Sequence, residues 1–458
     1  MHDDTDTIAA IATAAGEGAI AIVRVSGPES LAIADRVIAC AGAPPSQRLP
    51  GTFVHGHLRV ETEGSRETVD EVIVLIYRAP HSYTREDSVE IQGHGGTTAA
   101  RRILRALLQA GARLAEPGEF TRRAFLSGRI DLLQAEAVLD LIRARTDRAA
   151  AAAVEQLDGR LSRAFDSLYD QLVDIAARIE ATLDFPEDEV PGIAMSRVRV
   201  TLSSILEQMD ALLGTWNEGV LLREGAIVAI LGRPNVGKST LLNAMLGMDR
   251  VIVSHVPGTT RDVVEESMSI GGVAIRLADT AGLRETECDI ESAGIERARA
   301  LMSKAAYILY VVDASDVMDS YDREHLERLS PERTVVVANK CDQSVKFDRS
   351  DLGRWTVVET SLIRGEGVDA VKAALDSKIL SGAPTPAHAV ISERHRALMV
   401  EARDEVSRLL ESIYSEAGDP VLVASGLRLA IASLGLVTGR EYHDELLDAI
   451  FTKFCIGK

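Results

Sequence analysis

The chain has 458 residues, of which 46% are hydrophobic and 26% charged, the composition of a soluble globular protein. This length predicts about three domains, at roughly 100–200 residues each. The net charge of −19, from 69 acidic and 50 basic residues, argues against a protein that coats nucleic acid over its whole surface.

Signals for export, membrane insertion and disulfide formation are weak throughout the sequence. The first ten residues lack the basic and apolar regions of a signal peptide, and no apolar run approaches the ~20 residues of a membrane span. The cysteines, Cys40, Cys288, Cys341 and Cys455, are too few and too scattered for a disulfide framework. We therefore expect a cytoplasmic protein that does not enter a membrane.

Residues 1–120 alternate strand-like and helix-like segments, which predicts a small α+β domain. Ala19–Val25 and Val72–Tyr77 are rich in Val and Ile, and Ser88–Gln92 is typical of a short strand. Thr97–Ala110 then shows helical periodicity. Arginines between positions 101 and 129 form a candidate basic patch, with a solvated helix face as the alternative interpretation. They are Arg101, Arg102, Arg105, Arg113, Arg122, Arg123 and Arg129.

Residues 121–217 predict a first helical segment, because apolar residues from Leu126 to Leu141 recur at steps of three and four. Residues 218–382 instead alternate short β-rich runs with helical stretches, which is typical of a doubly wound, mostly parallel sheet. The predicted strands are Ala226–Leu231, Val273–Ala278, Tyr307–Asp313, Thr334–Ala338 and Thr356–Glu359. Residues 383–458 are helical again. The simplest architecture is a multidomain chain in which an α/β domain is inserted into one helical domain.

Gly232–Ser239 has the form G-x-x-x-x-G-K-S directly after a predicted strand and before a helix, the context that a phosphate-binding loop requires. Its glycines allow backbone N–H groups to surround phosphates at the N-terminus of the helix. Lys238 would neutralise the β- and γ-phosphates, and the Ser239 hydroxyl would bind Mg²⁺. A flexible surface loop is the alternative interpretation.

Three further segments at strand ends complete a guanine-nucleotide site. Asp279 begins Asp-Thr-Ala-Gly, where its carboxylate can hold Mg²⁺ through water and the Gly282 N–H can contact the γ-phosphate. Asp342 ends Asn-Lys-Cys-Asp, and its carboxylate can accept two hydrogen bonds from guanine, which adenine could not supply. Thr260 is placed to complete the Mg²⁺ shell, and Ser361 lies where a last loop would contact the base. A site that binds nucleotide without hydrolysing it is the alternative.

GTP hydrolysis by this protein needs groups other than the glutamine that orients the attacking water in many switch GTPases. Leu283 occupies the position after Asp-x-x-Gly where a glutamine often orients the attacking water, and leucine cannot do this. A monovalent cation beside the phosphates, bound by Asn235 and by the segment 254–259, would supply positive charge. Water activation would then fall to an acidic residue after Gly282, and spacing does not choose among the candidates. These are Glu285, Glu287, Asp289 and Glu291.

Beyond the nucleotide motifs, the sequence resembles the MnmE (TrmE) family of tRNA-modification GTPases over nearly its whole length. The most specific segments are 6–10 (DTIAA), 23–27 (VRVSG), 82–87 (SYTRED), 93–96 (GHGG), 117–121 (PGEFT), 131–137 (DLLQAEA) and 454–458 (FCIGK). A general ribosome-associated GTPase would share the nucleotide motifs but not these flanking segments.

The resemblance implies a homodimer formed through N-terminal domains that bind 5-formyl- or 5,10-methylene-tetrahydrofolate. It also implies an FAD-dependent partner, with which the protein attaches an aminomethyl or carboxymethylaminomethyl group to C5 of the tRNA wobble uridine. Family folate contacts fall on Arg24, Glu86, Arg129 and Lys458, and Mg²⁺ ligands fall on Ser239 and Thr260. Family K⁺ ligands fall on Asn235, Ser254, Val256 and Thr259. The family's catalytic acid falls on Glu291, acting with Lys238 and Thr260.

The complete set of residues expected to contact GTP comes from the motifs and the loop between them. It comprises Asn235, Val236, Gly237, Lys238, Ser239, Thr240, Ser254, His255, Val256, Pro257, Gly258, Thr259, Thr260, Asp279, Thr280, Ala281, Gly282, Asn339, Lys340, Cys341, Asp342, Ser361 and Leu362. We interpret Cys455 as a buried structural thiol, because no activating base is visible beside it.

Two alternative functions compete with this interpretation. One is a nucleotide-dependent switch of the ribosome-assembly type, without modification chemistry of its own. The other is a folate-dependent one-carbon enzyme in which nucleotide hydrolysis only regulates. The N-terminal segments argue against the first alternative, and the complete set of nucleotide motifs argues against the second.

Overall fold

The computed structural model describes residues 6–62, 65–184, 195–247, 267–279, 305–346, 352–381, 392–414 and 419–458. Several predicted features lie outside these ranges. They are Cys288, the loop residues 254–260, the motif residues 280–282 and the acidic candidates from 285 to 291.

A seven-stranded sheet forms the first part of the chain. Its strands are β1 (Ile8–Ile11), β2 (Ile20–Ser26), β3 (Ile38–Cys40), β4 (Phe53–Thr62), β5 (Ser65–Tyr77), β6 (Ser88–His94) and β7 (Arg113–Leu114). Their order is β3-β4-β5-β6-β2-β1-β7, and only the β1–β7 pair is parallel. The predicted strands and helix are confirmed here, although β5 begins seven residues before the predicted Val72.

Two helices, α1 (Ser30–Val37) and α2 (Thr97–Gln109), cover one face of this sheet. Buried and partly exposed residues alternate along the strands. Val23 and Ile91 are fully buried, while their neighbours Arg24 and Glu90 are partly exposed. The opposite face therefore carries the polar side chains that the sequence interpretation selected, with apolar residues among them. This face is called the open sheet face below.

Six helices connect this sheet to the α/β domain. They are α3 (Glu119–Leu126), α4 (Leu132–Arg143), α5 (Asp147–Leu157), α6 (Arg160–Asp184), α7 (Met195–Gly214) and α8 (Trp216–Glu224). The start of α4 is fixed by a capping box, in which Asp131 accepts from the Gln134 N–H at 2.8 Å and Gln134 accepts in return at 3.0 Å.

Three helices follow the α/β domain, and two of them complete the core begun by α6 and α7. They are α12 (Glu393–Tyr414), α13 (Pro420–Thr438) and α14 (Asp444–Phe451). Phe165 and Leu202 from the first half pack in one cluster with Met399 and Leu427 from the second half, and all four are fully buried. This cluster is called the helical core. Because its members come from both sides of residues 218–382, the α/β domain is inserted into the helical domain.

Helix α13 corrects the expectation that no segment reaches the length and hydropathy of a membrane span. Among the described helices, α13 is long and apolar enough to cross a membrane, with a mean hydropathy of 1.9 over 18 residues. Half of that window is buried, and Val423, Leu427 and Leu434 lie inside the helical core. Packing in a protein core accounts for the apolar character of this helix.

The α/β domain is a six-stranded sheet with helices on both faces. Its strands are β8 (Ala226–Leu231), β9 (Ser267–Ile270), β10 (Val273–Asp279), β11 (Tyr307–Asp313), β12 (Thr334–Asn339) and β13 (Thr356–Glu359). The order is β13-β12-β11-β8-β10-β9, and every pair is parallel except β9–β10. The described helices are α9 (Lys238–Leu246), α10 (Ser320–Glu327) and α11 (Val368–Ser381).

Both faces of this sheet are buried, which explains the continuous apolar runs of its strands. Val335 and Val337 join one core cluster, while Val336 and Ala338 join another on the opposite face. The doubly wound arrangement predicted from the sequence is therefore confirmed. Parallel strands bring their carboxyl ends to one edge, where ligands bind in such sheets.

Candidate functional site

The phosphate loop, Gly232–Ser239, leaves the carboxyl end of β8 and enters α9. Gly232 and Gly237 have φ of 139° and 108°, and Asn235 has φ of 63°. A Cβ atom on Gly232 would lie 2.2 Å from the Val311 carbonyl oxygen, and one on Gly237 would lie 2.3 Å from Asn339 Nδ2. Glycine is required at both positions, since the backbone is left-handed and the neighbouring atoms leave no room for a side chain.

Lys238 is buried at the first position of α9, with 9% of its surface exposed. Its Nζ donates hydrogen bonds to the carbonyl oxygens of Gly232 at 2.9 Å and Arg233 at 2.7 Å. The loop therefore curls around a positive charge at a helix N-terminus. These groups suit the phosphates of a nucleotide, because both the charge and the N–H groups of the first helical turn favour anions.

Arg233 fastens the same loop to α10. Its guanidinium contacts Asp319 and Asp322, each at 2.8 Å, and the Tyr310 hydroxyl donates to Asp322 at 2.9 Å. Burial raises the pKa of Tyr310, and the neighbouring Asp322 raises it further. This set of contacts was not predicted from the sequence, where its members are far apart and carry no recognisable spacing.

Asn339 connects the phosphate loop to the segments expected to hold the base. Its Nδ2 donates to the Val236 carbonyl oxygen at 2.8 Å, and its Oδ1 accepts from the Leu362 N–H at 3.1 Å. Beside it, Asp342 accepts from the Ser361 hydroxyl at 2.7 Å. Three segments that are distant in sequence thus meet at one sheet edge, where a carboxylate is held in place for hydrogen-bond donors.

Lys340 adopts a left-handed backbone conformation, with φ of 67°, and its Nζ lies 2.6 Å from Asp313 Oδ2. Burial would raise the pKa of Asp313, but the hydrogen bonds from Lys340 and Ser315 hold that pKa below its usual value. Asp313 was missed in the sequence analysis. It pairs with Asn339 across β11 and β12, so the rule that ligand residues gather at strand ends could have found it.

Most of the described residues expected to contact GTP lie at this edge. Asp279 ends β10 beside Ile230 of β8, which places it next to the phosphate loop. The described residues of the set are Asn235, Val236, Gly237, Lys238, Ser239, Thr240, Asp279, Asn339, Lys340, Cys341, Asp342, Ser361 and Leu362. The remaining residues of the set lie outside the described ranges, namely Ser254, His255, Val256, Pro257, Gly258, Thr259, Thr260, Thr280, Ala281 and Gly282, and so does the predicted catalytic acid, Glu291.

A second group of predicted residues meets on the open sheet face. Arg24 pairs with Glu90 across β2 and β6, at 2.9 Å between Nε and Oε1. The Arg24 and Arg129 guanidinium groups lie 5.2 and 4.7 Å from the centre of the Tyr83 ring, and Arg129 also donates to the Tyr83 carbonyl oxygen at 3.1 Å. Two guanidinium groups therefore meet on one aromatic ring, and the charge of Arg24 is also paired with Glu90.

Glu86 and Lys458, the other predicted members, approach the same strands. Glu86 accepts from Ser26 at 2.7 Å and from Arg123 at 3.2 Å. Lys458 follows Gly457, where an added Cβ would lie 2.3 Å from the Ile11 carbonyl oxygen. Ile11 pairs with the strand residue just before Arg24, so the last residues of the chain lie along this end of the sheet.

Two sequence interpretations are corrected here. The arginines of the candidate basic patch do not form one surface, since Arg123 is 4% exposed and, with Arg113, contacts the carboxylates of Asp6 and Glu119. Burial opposes ionisation of Glu119, but these arginines hold its pKa below the usual value. Cys455 is exposed, so its interpretation as a buried thiol is wrong.

Comparisons with known proteins extend over the whole chain. The family model described as GTP-binding protein TrmE N-terminus matches residues 7–129, and the model described as MnmE helical domain matches residues 132–455. The G domain of the T. maritima FeoB iron transporter is 28% identical and covers 35% of this chain and 99% of its own. Its TM-score of 0.26 is too low to support a conclusion.

Curated relatives are similar over their full lengths. The protein named tRNA modification GTPase MnmE from Symbiobacterium thermophilum is 45% identical, and its namesake from Listeria welshimeri is 43% identical, with 99% of both chains covered in each case. The namesake from Geobacter sulfurreducens is 44% identical at the same coverage. On these matches and on the geometry of its nucleotide edge, the chain belongs to the MnmE family of tRNA modification GTPases.

Proposed function

We propose that this GTPase depends on K⁺ and acts with an FAD-dependent partner on the wobble uridine of tRNA. The reaction places an aminomethyl or carboxymethylaminomethyl group at C5, and a folate carries the one-carbon unit. The observation that supports this most is that the residues predicted for the two ligands meet in two separate clusters. Asp342 and the phosphate loop share a sheet edge, while Arg24, Glu86 and Arg129 gather around Tyr83 and Ser26 on another sheet.

The proposed domains follow from these sites. Residues 1–120 form the folate-binding and dimerisation domain, and residues 218–382 form the G domain. Residues 121–217 and 383–458 are the two parts of the helical domain, in line with a helical core that draws on both. We also propose a cytoplasmic location.

For the nucleotide site we propose the following roles. Lys238 binds the β- and γ-phosphates, Ser239 and Thr260 bind Mg²⁺, and Asp342 selects guanine. The K⁺ ligands are Asn235, Ser254, Val256 and Thr259, and Glu291 activates the attacking water. The exposure of Asn235 supports its role, because an exposed side chain in the phosphate loop can offer its oxygen to a cation.

Replacement of K⁺ by Na⁺ should slow GTP turnover about tenfold or more, at equal ionic strength and saturating Mg²⁺. The physical reason is that the added positive charge must lie at a fixed place beside the phosphates, where a smaller cation cannot reach the same ligands. Phosphate release would be measured in each salt, with choline chloride as the control for ionic strength. Equal turnover in K⁺ and Na⁺ would exclude this mechanism.

Substitution of Arg24 by glutamine should weaken binding of 5-formyl-tetrahydrofolate by roughly 10- to 100-fold, the usual worth of a charge-assisted hydrogen bond. The test is calorimetric titration with this folate, and GTP turnover should not change. Arg102→Gln is the matched control, since Arg102 lies on the same domain and pairs with the exposed Glu67 on β5. Equal affinity in the Arg24 variant and the control would place the folate elsewhere.

Homodimer formation is proposed through the open sheet face. Ile20, Phe53 and Ile73 are 59%, 69% and 41% exposed on this face, which also carries Arg24. Apolar residues left exposed around a polar centre are typical of a surface that pairs with another protein. A dimer across this face would enclose Arg24, Arg129 and Tyr83 and exclude water from the proposed folate site.

The whole proposal is tested by mass spectrometry of nucleosides from tRNA of a strain lacking this protein. Loss of the C5 group from the wobble uridine is the expected result. An unchanged wobble uridine together with defective ribosomal subunits would instead favour a ribosome-assembly switch. The docking surface for tRNA is expected to be local, because the protein is acidic overall.

A further inference from the structure

Two carboxylates on α4 lie between the two connections of the α/β domain. Glu136 and Asp140 are four residues apart, so they project from the same side of the helix. Glu136 is 20% exposed and Asp140 is 27% exposed at the side chain. They are called the α4 carboxylates below. Each contacts a residue close to one end of the inserted domain.

Glu136 contacts the first turn of α12, which is the first described helix after the α/β domain. Its Oε1 lies 2.8 Å from Arg394 Nε, and its Oε2 contacts His395 Nε2. Burial would raise the pKa of Glu136, but His395 and Arg394 hold it well below the usual value. The carboxylate therefore stays charged and bound to α12.

Arg394 extends this contact to the end of α13. Its guanidinium donates to the carbonyl oxygens of Leu436 at 2.9 Å and Val437 at 3.1 Å. Cations near a helix C-terminus satisfy carbonyl groups that have no partner within the helix. Glu136 thus fixes both helices that the second part of the helical domain contributes to the helical core.

Asp140 faces the other connection. Its Oδ2 lies 4.0 Å from an Arg223 nitrogen on α8. Burial raises the pKa of Asp140 to about 6, against the opposing effect of Arg223. Helix α8 ends at Glu224, and β8, which carries the phosphate loop, begins at Ala226. Movement of the phosphate-loop strand relative to the helical domain would therefore act first on this pair.

The helix after α4 makes a third contact with the α/β domain. Arg148 on α5 donates to the Gly271 carbonyl oxygen at 3.4 Å, in the turn between β9 and β10. A Cβ on Gly272 would lie 3.0 Å from the Arg148 Cβ. Because β10 leads to Asp279, the α4–α5 segment contacts the helix before one strand and the turn before another, and both strands, β8 and β10, run to the nucleotide edge.

We propose that the α4 carboxylates couple the nucleotide state of the α/β domain to the helical core. Separating a partly buried ion pair leaves two charges less compensated, which opposes a shift of α8 away from α4 unless α4 moves with it. Glu136, on the same helix, passes that movement to α12 and α13. The expected loss of tRNA modification rests on the proposed function, whereas the expected change in hydrogen exchange of α12 does not.

The experiment compares the full-length wild type with Asp140→Asn, which keeps the shape and removes the charge. Hydrogen exchange of α12 is followed with GDP and with GDP plus aluminium fluoride, in K⁺ and Mg²⁺. The wild type should show a nucleotide-dependent change in α12, and the variant should lose most of it. GTP turnover of the variant should stay within about twofold, while tRNA modification with the partner falls by roughly 5- to 150-fold, the usual range of allosteric coupling.

Three further variants keep the result interpretable. Arg223→Gln should reproduce the Asp140→Asn phenotype, and Arg223→Lys should restore much of the α12 response because it retains the charge. Arg428→Gln is the matched control, since it breaks an ion pair with Glu180 that lies within the helical domain and away from α4. Circular dichroism of each variant establishes that it is folded.

Three results would overturn the inference. One is a nucleotide-dependent α12 response that is unchanged in Asp140→Asn and Arg223→Gln, and another is the absence of that response from the wild type. A loss of GTP turnover in step with modification would also contradict it, because the carboxylates would then serve the nucleotide site directly. Failure of the wild type to modify tRNA would count against the proposed function alone, since the exchange comparison does not use tRNA.

Discussion

Substitution of Asp342 by asparagine should weaken GTP binding by about 100- to 1,000-fold and create affinity for xanthosine triphosphate. The carboxylate is held by the Ser361 hydroxyl at 2.7 Å, so it faces the base with a fixed orientation. Guanine offers two donors to it, and loss of two charge-assisted hydrogen bonds costs roughly 3–4 kcal/mol. Xanthine replaces one donor by a carbonyl oxygen, which the asparagine amide can satisfy.

Isothermal titration calorimetry with GTP, xanthosine triphosphate and ATP measures this change in specificity. Asp369→Asn is the matched control, because it removes an exposed carboxylate from the first turn of α11 in the same domain. The control should bind GTP like the wild type. Tight binding of ATP to the wild type, or unchanged GTP binding in the Asp342 variant, would show that Asp342 does not select the base.

Substitution of Glu291 by alanine should lower the rate of GTP hydrolysis by roughly 10²- to 10⁴-fold, the usual contribution of general acid–base catalysis. GTP affinity should stay within about threefold, because the proposed role concerns the attacking water and not the nucleotide itself. Single-turnover phosphate release measures the chemical step, and calorimetry with a non-hydrolysable GTP analogue measures binding.

The neighbouring acidic residues supply the controls for Glu291. Glu285→Ala, Glu287→Ala and Asp289→Ala remove the other candidates that spacing left open, and each should hydrolyse GTP at close to the wild-type rate. A large loss in one of these, with Glu291→Ala unaffected, would move the catalytic role to that residue. Full tRNA modification by a Glu291→Ala variant that binds but does not hydrolyse GTP would favour a one-carbon enzyme regulated by nucleotide.

The parallel strands of the α/β domain were the most predictable part of the fold. Ala226–Leu231 and Tyr307–Asp313 have the predicted bounds, because strands covered on both faces require a continuous apolar run. The long hairpin of β4 and β5 was only half predicted. Its outer part, near Arg66 and Glu67, is polar and exposed, and it is a strand because of its pairing with β4.

The nucleotide edge was predictable because each motif follows a strand and parallel strands end together. Contacts that join distant segments were not. Arg394 meets Glu136 across 258 residues, and neither belongs to a motif whose chemistry would predict a partner. The exposure of Cys455 was also missed, because the lack of an activating base says nothing about burial, which here depends on how the last residues pack.

The division of the helical core between two halves has a consequence for synthesis on the ribosome. About 180 residues separate Gly214, at the end of α7, from Glu393, at the start of α12. At roughly 5–20 residues per second, the apolar sides of α6 and α7 stay uncovered for about 10 to 40 s after they leave the exit tunnel. During that interval the inserted sheet can fold to completion. The apolar faces of α6 and α7 stay exposed over the same time, so we expect chaperones to bind them.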